Sequence, residues 1–271
     1  DAEILKDAYE KEKNKNKQLS YRYSFYCAQS YKDAGYIDES INWYEQTLKL
    51  DGWIQEKYYS CLKLSELYEI KKNKEKIKEY LLKAINYDTE RMDGLIRVVE
   101  LYYKEGNHLF VNMFYHKFKE YKIDYKDKLF VTSLYYNDML EYYNSISAFY
   151  INDKKSGYEC VKQIIINKKI ENNKYILTIN NLQYYLNELK RDNNTEELFN
   201  KLTDAYITNK NNVVNRNTVN IWNILLEKNK SILTNPIGYN HKEDLFPKII
   251  ITFTTCKRLD LFRQTVNSIL N

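Results

Sequence analysis

The chain has 271 residues, of which 29% are charged and 44% belong to the hydrophobic set, so it is long enough for one large domain or two small ones. Its 42 basic residues exceed the 37 acidic ones only slightly and are spread along the sequence, which argues against a nucleic-acid-binding surface. With 6 Gly, 2 Pro and 28 Tyr, the composition argues against a turn-rich β fold and favours long helices around a core rich in tyrosine.

The first predicted element is a lead-in helix in residues 1–20, where Ile4, Leu5 and Ala8 already follow helical spacing. Since Asp1 stands where an initiator methionine would, we expect these residues to come from the interior of a longer protein. The apolar runs of the sequence are all too short to cross a bilayer, so we expect no membrane span.

Residues 21–125 contain a repeated pattern of two helices, in three units that begin at Tyr21, Tyr58 and Met92. The spacing of small and large residues follows the tetratricopeptide pattern W-x2-L-G-x2-Y, A-x3-F and P. A tyrosine recurs at one offset in every unit, at intervals of 37 and 34 residues (68 − 31 and 102 − 68); these are Tyr31, Tyr68 and Tyr102. Gly35 and Gly106 stand where the first helix of a unit would end in a left-handed cap. Each unit is therefore predicted to be an antiparallel helix pair.

Side-chain sizes support this interpretation. Small residues such as Ala28, Ser40 and Ser65 occupy positions where two helices approach closely, and large residues such as Tyr44 and Leu81 fill the space between pairs. One helix pair cannot bury its apolar face alone, so neighbouring pairs must stack, and at least three are needed. The predicted fold is therefore all-α, a superhelix of tetratricopeptide-like helix pairs.

The concave surface of such a superhelix is lined by the first helix of each pair, at the positions that stacking does not use. We call these positions the groove. It is predicted to change from basic to acidic along its length, so a peptide or a neighbouring domain of opposite polarity would suit it, with charge setting the orientation. The predicted groove residues are Arg22, Phe25, Gln29, Lys32, Tyr59, Leu62, Glu66, Glu69, Asp93, Ile96, Glu100 and Tyr103.

Residues 126–235 are predicted to form a degenerate fourth repeat and capping helices. When the repeat pattern is aligned to begin at Glu141, Ile151 occupies the position of the recurring tyrosine and Gly157 falls near the turn. Helical stretches without a clear period follow at residues 175–190, 195–208 and 217–228. Residues 236–247 contain both prolines and are predicted to be a linker.

Cysteine and histidine give no sign of a metal site or of a disulfide framework. The cysteines stand far apart without a C-x-x-C pair, which favours free buried thiols and a reducing, cytoplasmic compartment. They are Cys27, Cys61, Cys160 and Cys256. His108, His116 and His241 are isolated, and no carboxylates are arranged to complete a ligand set with them.

The last predicted elements are a strand and a helix in residues 248–271, within the stretch "FPKIIITFTTCKRLDLFRQTVNSILN". The run from Lys248 to Thr255 is apolar and β-branched, and helical spacing begins at Leu259. One apolar strand cannot bury both faces or pair its backbone groups alone. We therefore expect these residues to begin an α/β domain whose remainder lies further along a longer protein.

Two stretches of the sequence resemble glycosyltransferases. The segment from Arg22 to Glu69, beginning "RYSFYCAQSYKDAG", is similar to tetratricopeptide-type segments that such enzymes join to nucleotide-sugar-dependent domains. The motif "ITFTTCKR" is similar to the first strand of GT-A (family 2-like) glycosyltransferases, V-I-I-P-T-Y-N-R; Thr255 and Arg258 match, and Thr254 replaces the proline. The resemblance implies that Thr255 and Arg258 approach a nucleoside diphosphate, which a divalent cation, Mn²⁺ or Mg²⁺, would help to hold in the whole enzyme.

The D-x-D pattern that such a fold uses to hold the cation does not occur in the sequence. These residues alone are therefore predicted to be inactive, and none is assigned as catalytic or metal-binding. We expect a helical module of a larger glycosyltransferase, which positions a protein, glycan or glycoprotein acceptor or an adjoining catalytic domain. The alternative is a freestanding scaffold that binds a peptide or protein in the groove. The terminal strand favours the first interpretation, because a scaffold should end in a polar capping helix and an unpaired apolar strand promotes aggregation.

Overall fold

The computed structural model describes residues 1–121, 128–208 and 216–229. Regular structure in these ranges is helical, without a strand, which confirms the all-α prediction for this part of the chain. The predicted linker at 236–247 and the predicted strand and helix at 248–271 lie outside the described residues. The chain divides into two compact units, with the boundary between Met139 and Leu140.

Helices that follow one another along the chain pack together in the first unit. They are α1 (Ala2–Glu12), α2 (Lys17–Asp33), α3 (Ile37–Lys49), α4 (Ile54–Ile70), α5 (Lys74–Tyr87), α6 (Met92–Lys104) and α7 (His108–Phe118). A short 3₁₀ turn, Ser133–Tyr136, precedes the boundary. The predicted lead-in helix ends at Glu12, and α2 starts before Tyr21 because the Asn16 side chain caps it by accepting from Gln18 N and Leu19 N.

The helix pairs α2–α3, α4–α5 and α6–α7 are joined by turns of one geometry. In each turn a residue in the left-handed region follows the first helix: Gly35 (φ 80°), Lys72 (φ 55°) and Gly106 (φ 71°). The next backbone N–H donates to the carbonyl of the recurring tyrosine; these bonds are Tyr36 N to Tyr31 O, Asn73 N to Tyr68 O and Asn107 N to Tyr102 O. The pattern is that of a Schellman cap. The predicted left-handed caps at Gly35 and Gly106 are confirmed, and Lys72 adopts the same conformation without being glycine.

Close contacts between α2 and α3 show that these two helices run antiparallel. The Ser40 hydroxyl donates to the Ala28 carbonyl at 2.9 Å, and the hydroxyls of Ser24 and Thr47 lie 2.8 Å apart. Because Ala28 contacts Ser40 while the earlier Ser24 contacts the later Thr47, the two helices run in opposite directions. The predicted close approach at Ala28 and Ser40 is confirmed, because only small side chains allow a backbone carbonyl to be reached across the interface.

Tyrosine supplies much of the core, as the composition predicts. The largest fully buried side chains include Tyr21, Tyr44, Tyr58, Tyr175, Tyr185 and Tyr206. Burial raises the pKa of Tyr44 and Tyr58 well above the ordinary value, because it disfavours the charged phenolate. None of the described helices is long and apolar enough to cross a bilayer.

The second unit contains α8 (Met139–Tyr150), α9 (Lys154–Asn167), α10 (Asn172–Asn181), α11 (Leu186–Arg191), α12 (Glu196–Thr208) and α13 (Arg216–Lys228). The turn between α8 and α9 repeats the geometry of the first unit, with Asn152 at φ 62° and Asp153 N donating to Ala148 O. Ala148, and not Ile151, therefore occupies the position of the recurring tyrosine. The predicted register of this repeat is wrong by three residues, because asparagine can take the left-handed conformation in place of glycine.

Gly157 lies inside α9 and not near the turn, which corrects the prediction made from its residue type. A Cβ at this position would come 2.3 Å from the Tyr185 hydroxyl oxygen. That hydroxyl donates to the Ser145 carbonyl, so it crosses the gap that the missing side chain leaves open. Gly157 is therefore required for close packing, and its backbone is ordinary helix.

Replacing Lys72 by glycine should stabilise the chain. A non-glycine residue in the left-handed region costs about 1 kcal/mol, and glycine removes this cost. We expect Lys72→Gly to raise the midpoint of thermal unfolding by about 2–4 °C, measured by circular dichroism. Ala34→Gly is the matched control, because Ala34 precedes the left-handed residue of the first turn at φ −83°. A gain in both variants, or in neither, would contradict the strain assigned to Lys72.

Candidate functional site

The groove positions in α4 and α6 line one cavity of about 360 Å³. These predicted residues are Tyr59, Leu62, Glu66, Glu69, Asp93 and Glu100. Tyr103, on the same helix, lies beside His108 with ring centroids 6.2 Å apart. Ile96 is fully buried and contributes to packing, not to an open surface.

The groove positions in α2 lie outside this cavity. Arg22 is exposed and donates to the Tyr26 hydroxyl, while Lys32 pairs with Asp33 on the same helix. Phe25 is only 1% exposed, so it is a core residue more than a groove residue. Gln29 is half-buried, and its side-chain nitrogen has no hydrogen-bond partner among the described residues.

A segment of the chain itself, residues 128–136, lies against α4 and α6, and sequence reasoning did not predict it. Phe130, Thr132 and Tyr135 from this segment complete the wall of the cavity. Residues 128–132 precede the 3₁₀ turn and have no regular helical structure. The turn itself, Ser133–Tyr136, forms the end of the segment. No helical or strand-like spacing marks these residues in the sequence, so no periodicity signal identified the segment.

An aromatic contact fixes one point of the segment. The Phe130 ring lies 4.7 Å from the Tyr59 ring, measured between centroids, and the two planes are tilted by 46°. Tyr59 in turn meets the edge of Phe25 at 6.1 Å. The predicted groove position Tyr59 therefore joins the segment to the core of the first helix pair.

The buried guanidinium of Arg91 holds the segment through its backbone. Its side chain is completely buried and lies over the Tyr58 ring, with the guanidinium carbon 4.1 Å from the ring centroid. It donates to the Leu129 carbonyl at 2.8 Å, to the Gln55 side-chain oxygen at 3.0 Å and to Asp93 at 3.1 and 3.2 Å. A planar group with several fixed donors suits such a set of acceptors.

Asp93 supplies the negative charge that pairs with Arg91, and it also contacts the segment. One carboxylate oxygen accepts from the backbone N–H of Thr132 at 2.9 Å. The other accepts from the Tyr136 hydroxyl at 2.9 Å and from Arg91. Asp93 is 1% exposed, so this carboxylate is buried and its charge is compensated by hydrogen bonds and a cation. Together, Arg91 and Asp93 contact one backbone carbonyl and one backbone N–H of the segment.

Lys128 anchors the beginning of the segment at the joint between α5 and α6. Its ammonium lies 2.8 Å from Asp88 and 3.2 Å from Glu90. Asp88 also accepts from the Gln55 side-chain nitrogen at 2.7 Å. Burial by itself would raise the pKa of Asp88, but the hydrogen bonds from Lys128, Gln55 and the Glu90 backbone N–H lower it overall.

The acidic end predicted for the groove is neutralised by basic residues from the same helices. Arg97 contacts Glu66 at 3.4 Å and Glu69 at 3.0 Å. Glu66 also pairs with Lys63 at 2.8 Å, and Glu100 with Lys104 at 2.7 Å. The acidic groove residues therefore do not present an uncompensated negative charge at one end of the groove. The prediction counted groove positions alone, whereas the partners come from neighbouring positions on the helices.

The described cysteines are buried thiols that form no disulfide: Cys27, Cys61 and Cys160. Burial raises the pKa of Cys27 and Cys61 to about 12. These thiols stay protonated at neutral pH and are poor nucleophiles. No group of three or more potential metal ligands comes together among the described residues. Cys256, His241, Thr255 and Arg258 lie outside them.

Removing the Arg91 cation should destabilise the first unit strongly. Arg91→Met would leave the buried Asp93 carboxylate without its cation, and breaking a buried pair in this way costs about 3–5 kcal/mol. We expect a lower urea midpoint of unfolding. Arg22→Met, at an exposed arginine that also lies near a tyrosine ring, should cost less than about 1 kcal/mol. Equal losses in the two variants would show that the Arg91 contacts do not hold the fold.

The contribution of Asp88 to stability should depend on pH. Because the folded-state pKa is lowered, the stabilisation is complete above the unfolded pKa of about 3.9 and is lost as pH falls through the folded pKa. We expect the free-energy difference between wild type and Asp88→Asn to be constant above about pH 5 and to shrink below about pH 4. Urea unfolding at several pH values measures it. Asp51→Asn, at an exposed position, is the control, and the same pH profile in both variants would refute the assignment.

Comparison with known proteins names no family for the chain. No protein-family model matches it, and no curated protein is significantly similar to it.

Proposed function

We propose that the chain is a tetratricopeptide-like interaction module that binds a polypeptide segment in its groove. The observation that carries this proposal is the seating of residues 128–136 against α4 and α6. Leu129 O and Thr132 N, one acceptor and one donor of the segment backbone, are held by the buried side chains of Arg91 and Asp93. Hydrogen bonds to the backbone can be made to a polypeptide of any sequence, and side-chain contacts then select among sequences.

The repeated turn supports the tetratricopeptide-like part of the proposal. The same left-handed residue and the same hydrogen bond recur at Gly35, Lys72, Gly106 and Asn152. Tandem units of one geometry are what a stacked repeat needs, since each unit must present the same surface to the next. The stacking of α2–α3, α4–α5 and α6–α7 into a superhelix is our interpretation of these units.

We also propose that this module serves a larger glycosyltransferase. The resemblance of "ITFTTCKR" to the first strand of GT-A enzymes supports this part, with Thr255 and Arg258 at the nucleotide end of the donor site. The absence of D-x-D from the sequence means that residues beyond this chain would hold the Mn²⁺ or Mg²⁺. The groove would then position a protein, glycan or glycoprotein acceptor, or an adjoining catalytic domain.

Nucleotide-sugar turnover tests the glycosyltransferase part. The 271-residue chain and any longer product of the same gene are incubated side by side with UDP-sugars and GDP-sugars in the presence of Mn²⁺. We expect release of nucleoside diphosphate from the longer protein alone. Arg258→Ala in the longer protein should reduce turnover, because the arginine charge would be lost from the diphosphate. Arg191→Ala, at an exposed arginine outside the groove, is the control.

The second candidate function is a freestanding scaffold that uses only the groove. The segment at 128–136 is compatible with this candidate as well, because it involves only the first unit. If no product of the gene turns over a nucleotide sugar, the glycosyltransferase part fails and the scaffold takes its place. Peptide binding in the groove is then the remaining activity.

A further inference from the structure

We propose that residues 128–136 are an internal competitor for the groove, and that the partner is a peptide with a basic side chain two positions before an aromatic one. This inference rests on the proposed function of the groove. Arg91 and Asp93 hold the backbone of the segment, so its contacts indicate what the groove accepts. Each of the following contacts assigns one property of the partner.

The basic position is assigned by the acidic joint between α5 and α6. Asp88 and Glu90 both face the Lys128 ammonium, and Asp88 is only 8% exposed at its side chain. Gln55 donates to Asp88 but carries no charge, so the cation comes from the segment. A partner without a basic side chain here would leave a nearly buried carboxylate without its cation.

The aromatic position is assigned by Tyr59. Its ring contacts both Phe25 and Phe130, with centroid distances of 6.1 and 4.7 Å, and the Lys63 ammonium lies 4.9 Å from its centroid. The ring of Phe130 therefore extends an aromatic row that begins in the core. A small or charged side chain at this position would lose the ring contact with Tyr59.

The contacts of the segment leave room for a ligand that binds more favourably. Phe130 adopts a φ of 50°, a conformation that is unfavourable for a bulky residue, and its side chain is still 53% exposed. The segment also leaves the cavity of about 360 Å³ beneath it unfilled. A separate peptide is not tied to α8 by covalent connection, so it can place its aromatic ring without this backbone conformation and can fill more of the cavity.

Competition between the segment and a synthetic copy of it tests the proposal. The probe is a fluorescently labelled peptide with the sequence of residues 128–137, KLFVTSLYYN, and its binding to the 271-residue chain is measured by fluorescence anisotropy. The opened variant carries Lys128→Ala and Phe130→Ala, which weaken the internal segment and leave the groove intact. We expect the opened variant to bind the peptide at least ten-fold more tightly than the wild type.

Two controls separate specific from general binding. A peptide with glutamate in place of the lysine and serine in place of the phenylalanine, ELSVTSLYYN, should bind neither protein. Adding Tyr59→Ala to the opened variant should return the affinity for the first peptide to the wild-type level or below. Binding of both peptides with equal affinity would overturn the basic-x-aromatic assignment.

Equal affinity of the wild type and the opened variant, or no binding by a folded opened variant, would overturn the proposal. Folding is checked by circular dichroism, and if the double variant is unfolded, Phe130→Ala alone replaces it, with at least a three-fold gain expected. The assay contains no nucleotide sugar. A failure of competition therefore leaves the glycosyltransferase proposal standing, and a failure of turnover leaves the competition result unchanged.

Discussion

The buried guanidinium of Arg91 is the contact on which the first unit depends. It lies over Tyr58 from α4, pairs with Asp93 at the start of α6, and reaches the backbone of residues 128–136. One cation thus joins two repeats and the segment that crosses them. Burying a charge is expensive, and it is tolerated here because every acceptor around it is in place. The arrangement therefore selects one geometry of the joint between repeats over its alternatives.

The second constraint is the turn that ends the first helix of each pair. A left-handed residue allows the carbonyls of the last helical turn to be paired while the chain reverses direction. Glycine provides this conformation at Gly35 and Gly106, asparagine at Asn152, and lysine, at some cost, at Lys72. The turn geometry is constant although the sequences of the turns differ, which is what a repeat architecture would require.

The groove depends on how α4 and α6 meet. The Tyr58 hydroxyl accepts from Gly94 N and the Leu62 carbonyl accepts from Arg97, so the two helices are in contact. The Arg91–Asp93 pair at the start of α6 presents one donor group and one acceptor group to the backbone of residues 128–136. The acidic side chains around the cavity have basic partners, so its selectivity comes from shape, aromatic contact and one acidic joint more than from net charge. The proposed peptide binding rests on these features.

The sequence by itself determined the helices, the caps at Gly35 and Gly106 and the close approach at Ser40, because these follow from spacing and residue size within one or two helical turns. It also predicted Tyr59 and Asp93 as groove residues. Only the tertiary structure decided the rest. Arg91 meets Leu129 across 38 residues, and a segment without periodicity carries no local signal of where it lies. The turn at Asn152 was missed because asparagine takes the left-handed position there, and Gly157 is required by the Tyr185 side chain and not by a turn. Such long-range contacts depend on how the helices assemble, and residue spacing does not record that assembly.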